Sequence, residues 1–309
     1  MLWLVLAAWL ALAGSCSPGG GDPPGGGDPG PPYPIVLAHG ALGMESYGPL
    51  DYWFGIVSAL EDEGNDVYVT QVSAIHSSTV RGEQLLAEVQ SILDTTGKDK
   101  VHLIGHSQGG LDARYVAGVA PGLVASVTTV GTPHKGALVF DALFDGILAD
   151  GTFTAALIDL FGGSIGLLLE LLFGTSDPVD ARAALSQLVG SGIAGFNALF
   201  PNGLPAGCHP GAAQVGGVRY YSWTGKNVLT NVFDPVDSLL GLAGSVYLFQ
   251  QSDGLVSVCS AQFGDVIADD YWMNHLDEVN QILGLTHLFE VDPRTLYVQH
   301  ASRLRNLGL

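Results

Sequence analysis

The sequence predicts an α/β protein, a doubly wound and mainly parallel sheet flanked by helices. Two observations carry this. Short apolar runs of strand length alternate with longer stretches of helical spacing. In addition, a Gly-x-Ser-x-Gly pentapeptide, Gly105-His106-Ser107-Gln108-Gly109, lies between the strand-like run Val101-His102-Leu103-Ile104 and a helical run from Gly110 to Ala117. A serine held on a tight turn between a strand and a helix projects its hydroxyl above the sheet edge. The flanking glycines let neighbouring backbone pass close by. The pentapeptide alone is common, but a strand before it and a helix after it make an ordinary glycine-rich turn the weaker reading.

The elements follow in chain order. Pro34-Ile35-Val36-Leu37-Ala38 is the first strand and ends at His39-Gly40. Tyr52 to Leu60 suits an amphipathic helix, and Asp66 to Thr70 a strand. Arg81 to Leu93 places Leu85, Leu86, Val89, Ile92 and Leu93 on one side of a helix. Val124 to Val130 and Tyr220 to Trp223 are further strands, and no repeat period is visible. The pattern changes at about residues 140–175, an apolar stretch without a basic residue. Asp159, Gly162-Gly163 and Glu170 interrupt it, so it does not read as a membrane span. A core helical hairpin is one reading. Its place, after the strand that follows the serine strand, favours a helical lid over an apolar groove.

The formal charge of −19 over 309 residues argues against nucleic acid as a partner, since a phosphate backbone would be repelled. The length beyond the first thirty or so residues suits one large domain. Met1 to Ala13 is almost wholly apolar and shorter than the roughly 20 residues a span needs, which resembles the h-region of an export signal. No Lys or Arg precedes it. Ala13-Gly14-Ser15-Cys16 loosely resembles a lipobox, which would make Cys16 a lipidation site; Ala11-Leu12-Ala13 equally fits an ordinary cleavage site. Residues 17–32 form a Gly/Pro-rich linker that cannot bury a core. The expected organisation is therefore a signal at 1–16, a linker at 17–32 and a catalytic domain at 33–309. Cys208 and Cys259 read as a disulfide in an exported chain, closing a loop of about 50 residues worth roughly 4 kcal/mol on the chain-entropy model. Two buried thiols are the alternative.

The serine needs a base. Among the nine histidines, His275 stands out because it follows Ser252-Asp253-Gly254, an aspartate at a turn that enters a short strand-like run. The chain order Ser107, Asp253, His275 is the order expected of α/β-hydrolases. His275 would take the serine proton, and Asp253 would fix its tautomer. Asp269 and Asp270 are rival partners. Two backbone N–H groups are expected to form an oxyanion hole, that of Gln108 and that of Ala41 in the loop after the first strand.

These residues carry a family resemblance. The chain resembles the bacterial triacylglycerol lipases of Pseudomonas and Burkholderia, the foldase-dependent true lipases, from about Tyr33 to Leu309. The specific stretches are Tyr33 to Gly40, Gly105 to Gly110, Thr132 to Gly136, Asp253 to Val256 and Asn274 to Gln281. The resemblance implies an α/β-hydrolase fold, the triad Ser107, Asp253 and His275, and a Cys208–Cys259 disulfide. It also implies one structural calcium ion (Ca2+) on Asp234, Asp277, Gln281 and the carbonyl of Leu285. Hard oxygen donors suit that ion. Residues from about Leu138 to Pro210 show little match. The expected function is that of an exported lipase, secreted or tethered to the envelope, acting as a monomer on acylglycerols at a lipid–water interface. The expected aid to its folding is a lipase-specific foldase. An esterase for short or soluble esters is the runner-up, and an inactive envelope lipoprotein of the same fold is the third reading.

Overall fold

Seven strands pair into one sheet. The computed structural model describes residues 31–41, 43, 46–47, 50–74, 76–141, 181–234 and 236–309. The expected signal, most of the linker, and all of the expected lid beyond Phe140 and Asp141 lie outside them. The strands are β1 (Ile35–Ala38), β4 (Val67–Thr70), β5 (Val101–His106), β6 (Val124–Val130), β7 (Gln214–Val215), β8 (Val218–Gly225) and β9 (Asp265–Tyr271). A separate antiparallel pair is formed by β2 (Ser46–Tyr47) and β3 (Leu50–Asp51). The sheet order is β4-β1-β5-β6-β8-β7, with β9 also on β8. All its pairings are parallel except β7 with β8. This is the doubly wound α/β architecture that the alternating pattern predicts.

The helices are α1 (Ile56–Asp62), α2 (Ser78–Thr96), α3 (Gln108–Val119), α4 (Ala181–Leu188), α5 (Gly190–Leu199), α6 (Asp237–Gly244), α7 (Val258–Ala261), α8 (Gln281–Gly284) and α9 (Pro293–Asn306). Alternation along the strands sends side chains to two cores. Val36, Ala38, Val101 and Leu103 meet Leu85 and Val89 of α2 and Ala113 and Val116 of α3. Ile35, Leu37 and Ile104 meet Ile56 and Leu60 of α1 and Tyr297 and Ala301 of α9. Helices thus cover both faces, and β5 and β6 in the middle are buried along their whole length.

Boundaries move where local chemistry overrides periodicity. The helix expected from Tyr52 begins at Ile56, because Gly55 stands before it with φ 69° and the chain turns there first. The helix expected from Arg81 starts three residues earlier, at Ser78, where the Ser77 side chain accepts from the Val80 N–H. It ends at Gly97 in the left-handed conformation. The strand expected after Asp253 does not form. A single bridge between Ser252 and Ser257 closes that turn, and α7 follows. The last strand, β9, carries Asp269 and Asp270 and was not expected from the sequence pattern.

The serine turn shows why its glycines are needed. A Cβ on Gly105 would come within 2.3 Å of the Gly109 carbonyl oxygen, and one on Gly109 within 2.2 Å of that of Ala38. Strand β5, helix α3 and the end of β1 therefore touch through bare backbone. Gly105→Ala and Gly109→Ala should each lower stability by about 1–3 kcal/mol or more, through forced separation of these segments. Denaturant unfolding measures this, and an unchanged midpoint would show that the close approach is not tight.

Candidate active site

Ser107 lies between the last residue of β5 and the first of α3, with φ 54° and ψ −125°. Few non-glycine residues adopt this backbone, and it turns the side chain out of the sheet. The Ser107 N–H donates to the Val130 carbonyl at 2.8 Å. Gln108 opens α3, so its N–H has no acceptor within the helix. Its side chain donates to the His76 carbonyl at 2.7 Å.

The turn after β1 packs directly against this serine. A Cβ on Gly40 would lie 2.7 Å from the Ser107 Cβ, so Ala41 follows a residue in van der Waals contact with the elbow. That turn is held by a buried guanidinium. Arg81 donates to the carbonyls of His39 (2.6 Å) and Ser73 (2.6 Å), while its Nε pairs with Asp112 at 2.8 Å. Both charged side chains are fully buried. Burial, with the Arg81 charge second, pushes the His39 imidazole down to about 3. The ring is therefore neutral, with Nδ1 donating to the Gly40 carbonyl at 2.8 Å and Nε2 accepting from the Val72 N–H at 3.3 Å.

His275 and Asp253 are brought together. The His275 Nδ1–H donates to Asp253 Oδ2 at 2.7 Å, and its backbone N–H donates to the Asp253 carbonyl at 2.9 Å. Asp253 Oδ1 accepts from the N–H groups of Leu255 (2.8 Å) and Val256 (2.7 Å). Asp253 is fully buried, and its carboxylate is fixed by three protein donors: the His275 ring and the N–H groups of Leu255 and Val256. The rivals lie elsewhere: Asp269 accepts from Gln262, and Asp270 is exposed, 4.0 Å from Lys226. With Nδ1 committed to Asp253, Nε2 of His275 keeps its lone pair.

One neighbour was not expected from the sequence. Glu278 is buried, with Oε2 3.5 Å from His106 Nε2 and 4.0 Å from His275 Nδ1. Its Oε1 accepts from the Gly225 N–H at 2.6 Å. Burial, and next the Asp253 charge, push its carboxyl well above the usual range. The only sequence signal is its place three residues after His275. His106, His275 and Glu278 hold ligand-type atoms within 4.8 Å of one another. They do not suit a cation, because Nε2 of His106 donates to the His275 carbonyl (2.9 Å) and Nδ1 of His275 donates to Asp253.

A profile of the α/β-hydrolase fold matches residues 33–262. A triacylglycerol lipase of Vibrio cholerae is 50% identical over 279 residues, covering 90% of this chain and 89% of that protein. One from Burkholderia plantarii is 41% identical, covering 90% of this chain and 87% of its own. This chain belongs to the bacterial triacylglycerol lipase family. Membership makes it an enzyme, a serine hydrolase of carboxylic esters. The fold is also that of a mature Bacillus licheniformis lipase, BlEst2, at a TM-score of 0.61 and 21% identity over 92% of this chain and 96% of that one.

The residues expected to hold calcium have the character such a site requires. Asp234 and Asp277 are both buried, and each has one carboxylate oxygen without a hydrogen-bond partner among the described residues, Oδ2 and Oδ1 respectively. Burial pushes the Asp277 carboxyl up to about 7, and the charges of Asp234 and Asp237 add to this. Asp237, by contrast, is fully engaged by Thr230, Asn231 and Asn274. Gln281 donates its amide nitrogen to the Tyr52 carbonyl at 3.3 Å, which leaves its oxygen as the ligand-capable end. Buried acids with orphaned oxygens fit a hard divalent cation. Cys208 and Cys259 form a disulfide across 51 residues, and the Cys259 carbonyl accepts from Lys135 Nζ at 2.7 Å.

The Arg81–Asp112 pair gives a test of how the serine's surroundings are held. Arg81→Met should lower stability by about 3–5 kcal/mol, since Asp112 would be left buried and uncompensated. Thermal and denaturant melts measure this. A loss below about 1 kcal/mol would mean that the pair contributes little to the turn.

Proposed function

We propose that the protein is an exported triacylglycerol lipase that hydrolyses long-chain acylglycerols at a lipid–water interface through an acyl-enzyme. The observation that carries this reading is a serine on a positive-φ elbow together with a fully buried Asp253–His275 hydrogen bond, in a member of the lipase family.

In this reading Ser107 Oγ attacks the ester carbonyl carbon and its proton passes to Nε2 of His275. The carbonyl oxygen becomes an oxyanion held by the N–H groups of Ala41 and Gln108. Each donor is worth roughly 3 kcal/mol of transition-state stabilisation. His275 then protonates the departing alcohol oxygen, and the C–O bond to the diacylglycerol breaks. Water, deprotonated by His275, attacks the acyl-Ser107 ester and releases the fatty acid. Asp253 stays ionised throughout, fixing the tautomer and stabilising the imidazolium.

Asp234, Asp277, Gln281 and the Leu285 carbonyl would hold one structural calcium ion, which supplies charge neutralisation to the buried carboxylates. Asp277 lies two residues from His275, so an ion held there would brace the loop that carries the base, which Asp253 also holds. The remaining parts of the proposal rest on the sequence: residues 1–16 as the export signal, with Cys16 as a lipid attachment site; 17–32 as a linker; 33–309 as the catalytic domain; about 140–175 as a lid; a monomer; and a foldase as folding partner.

Ser107→Ala should abolish ester hydrolysis while leaving the melting temperature near that of the wild type, and Asp253→Asn should lower kcat by about 10⁴-fold. Mass spectrometry after fluorophosphonate treatment should find the adduct on Ser107. Normal turnover in Ser107→Ala would refute the mechanism. Faster turnover on soluble short esters than on emulsified long-chain ones would favour the esterase reading. Separately, calcium chelation should lower the melting temperature, and Asp277→Ala should reproduce that loss. Equal melting temperatures in chelator and in excess calcium would remove the ion from the account.

A further inference from the structure

Tyr52 lies outside the triad, yet three parts of the site meet on it. Its hydroxyl is 2.9 Å from the Gly40 N–H and 2.6 Å from His106 Nδ1. Its backbone carbonyl accepts from Gln281, and the Phe54 carbonyl accepts from Asn280 at 2.7 Å. The residue is 5% exposed and the His106 ring 1%. The Tyr52 ring also packs edge-on against Trp53, at 5.2 Å between centroids.

The hydrogen-bond geometry assigns the proton positions in this chain. His106 Nε2 is 2.9 Å from the His275 carbonyl, which can only accept, so Nε2 carries a hydrogen. Burial and the adjacent His275 hold the ring neutral, so Nδ1 is an acceptor. The Tyr52 hydroxyl must therefore donate to Nδ1, and its oxygen accepts from the Gly40 N–H. The bonds run in one direction: Gly40 N–H to Tyr52 O, Tyr52 O–H to His106 Nδ1, His106 Nε2–H to the His275 carbonyl. Such chains polarise in the same sense and strengthen one another.

We propose that Tyr52 is a positioning residue that sets the oxyanion-hole turn in register with the base loop, acting through His106. Gly40 precedes Ala41, and His275 is the base, so the two ends of the chain are the two groups that must stand on opposite sides of one tetrahedral carbon. His106 precedes Ser107 and forms the centre of the chain. Loss of the hydroxyl would release the Gly40 turn from His106 while the ring packing stays. The effect should fall on the transition state, where small misplacements are felt most, and not on substrate binding. This rests on the triad and oxyanion assignments made above.

The test is Tyr52→Phe, assayed beside wild type and Ser107→Ala. The expected result is a fall in kcat of about 10–100-fold with KM changed by less than about 2-fold. The fluorophosphonate inactivation rate should fall in parallel, and the melting temperature should stay within a few degrees of the wild type. A second variant, His106→Phe, tests the chain itself. If the hydroxyl acts through His106, the double variant should lose little more in kcat than the worse single one. Wild-type kcat in Tyr52→Phe overturns the proposal, as does a lowered melting temperature with unchanged kcat. Losses that multiply in the double variant also overturn it, since they would mean independent roles. If His106→Phe does not fold, Tyr52→Phe decides alone. An active Ser107→Ala would instead refute the underlying mechanism.

Discussion

The site depends on the backbone of one residue. Ser107 holds φ 54° and ψ −125°, a conformation that costs on the order of 1–3 kcal/mol for a residue with a Cβ. The surrounding packing leaves the chain no alternative. The fully buried strands β5 and β6 fix what comes before, through the Ser107 N–H bond to Val130. The buried α3 fixes what comes after. Glycines at 105 and 109 allow backbone contact at distances that a methyl group would prevent. The geometry that exposes the hydroxyl is thus stabilised by the two largest apolar cores among the described residues.

Around this elbow the chain spends buried polar groups freely. Arg81 binds the β1 turn, Asp253 binds its own turn and His275, and Asn274 binds Asp237 and the N–H groups of Leu276 and Asp277. These bonds join loops at the C-terminal ends of several strands, where parallel α/β sheets place their ligands. Near the base loop, the described residues with an unpartnered carboxylate oxygen include Asp234, Asp277 and Glu278. Two belong to the proposed cation ligands. The third lies beside His106, in surroundings that favour the protonated acid.

The sheet was legible in the sequence because β1, β5 and β6 are fully buried strands in short runs rich in Val, Ile, Leu and Thr, and because the elbow occurs in its strand–helix context. Asp253 and His275 could be picked out from their chain order, but the choice over Asp269 and Asp270 needed the fold: β9 carries those two away from the base. This strand reads poorly because Asp265-Val266-Ile267-Ala268-Asp269-Asp270 is only half-buried and acidic. Glu278 and Tyr52 were not legible as parts of the site. Their contacts join residues far apart in sequence, Tyr52 with His106 and Glu278 with His106 and Gly225, and no local pattern records such meetings. The start of α1 was misread for a simpler reason. Tyr52 and Trp53 continue the apolar spacing of the helix, but they pack from a turn.

The most direct measurement is a crystal structure of the enzyme inactivated by an alkyl phosphonate, a stable mimic of the tetrahedral intermediate. The account predicts a covalent bond from phosphorus to Ser107 Oγ. It places the phosphoryl oxygen about 2.7–3.1 Å from the N–H groups of Ala41 and Gln108. His275 Nε2 would stand on the other side, within hydrogen-bonding reach of the Ser107 oxygen. An adduct on a different side chain, or a phosphoryl oxygen directed away from both N–H groups, would contradict it.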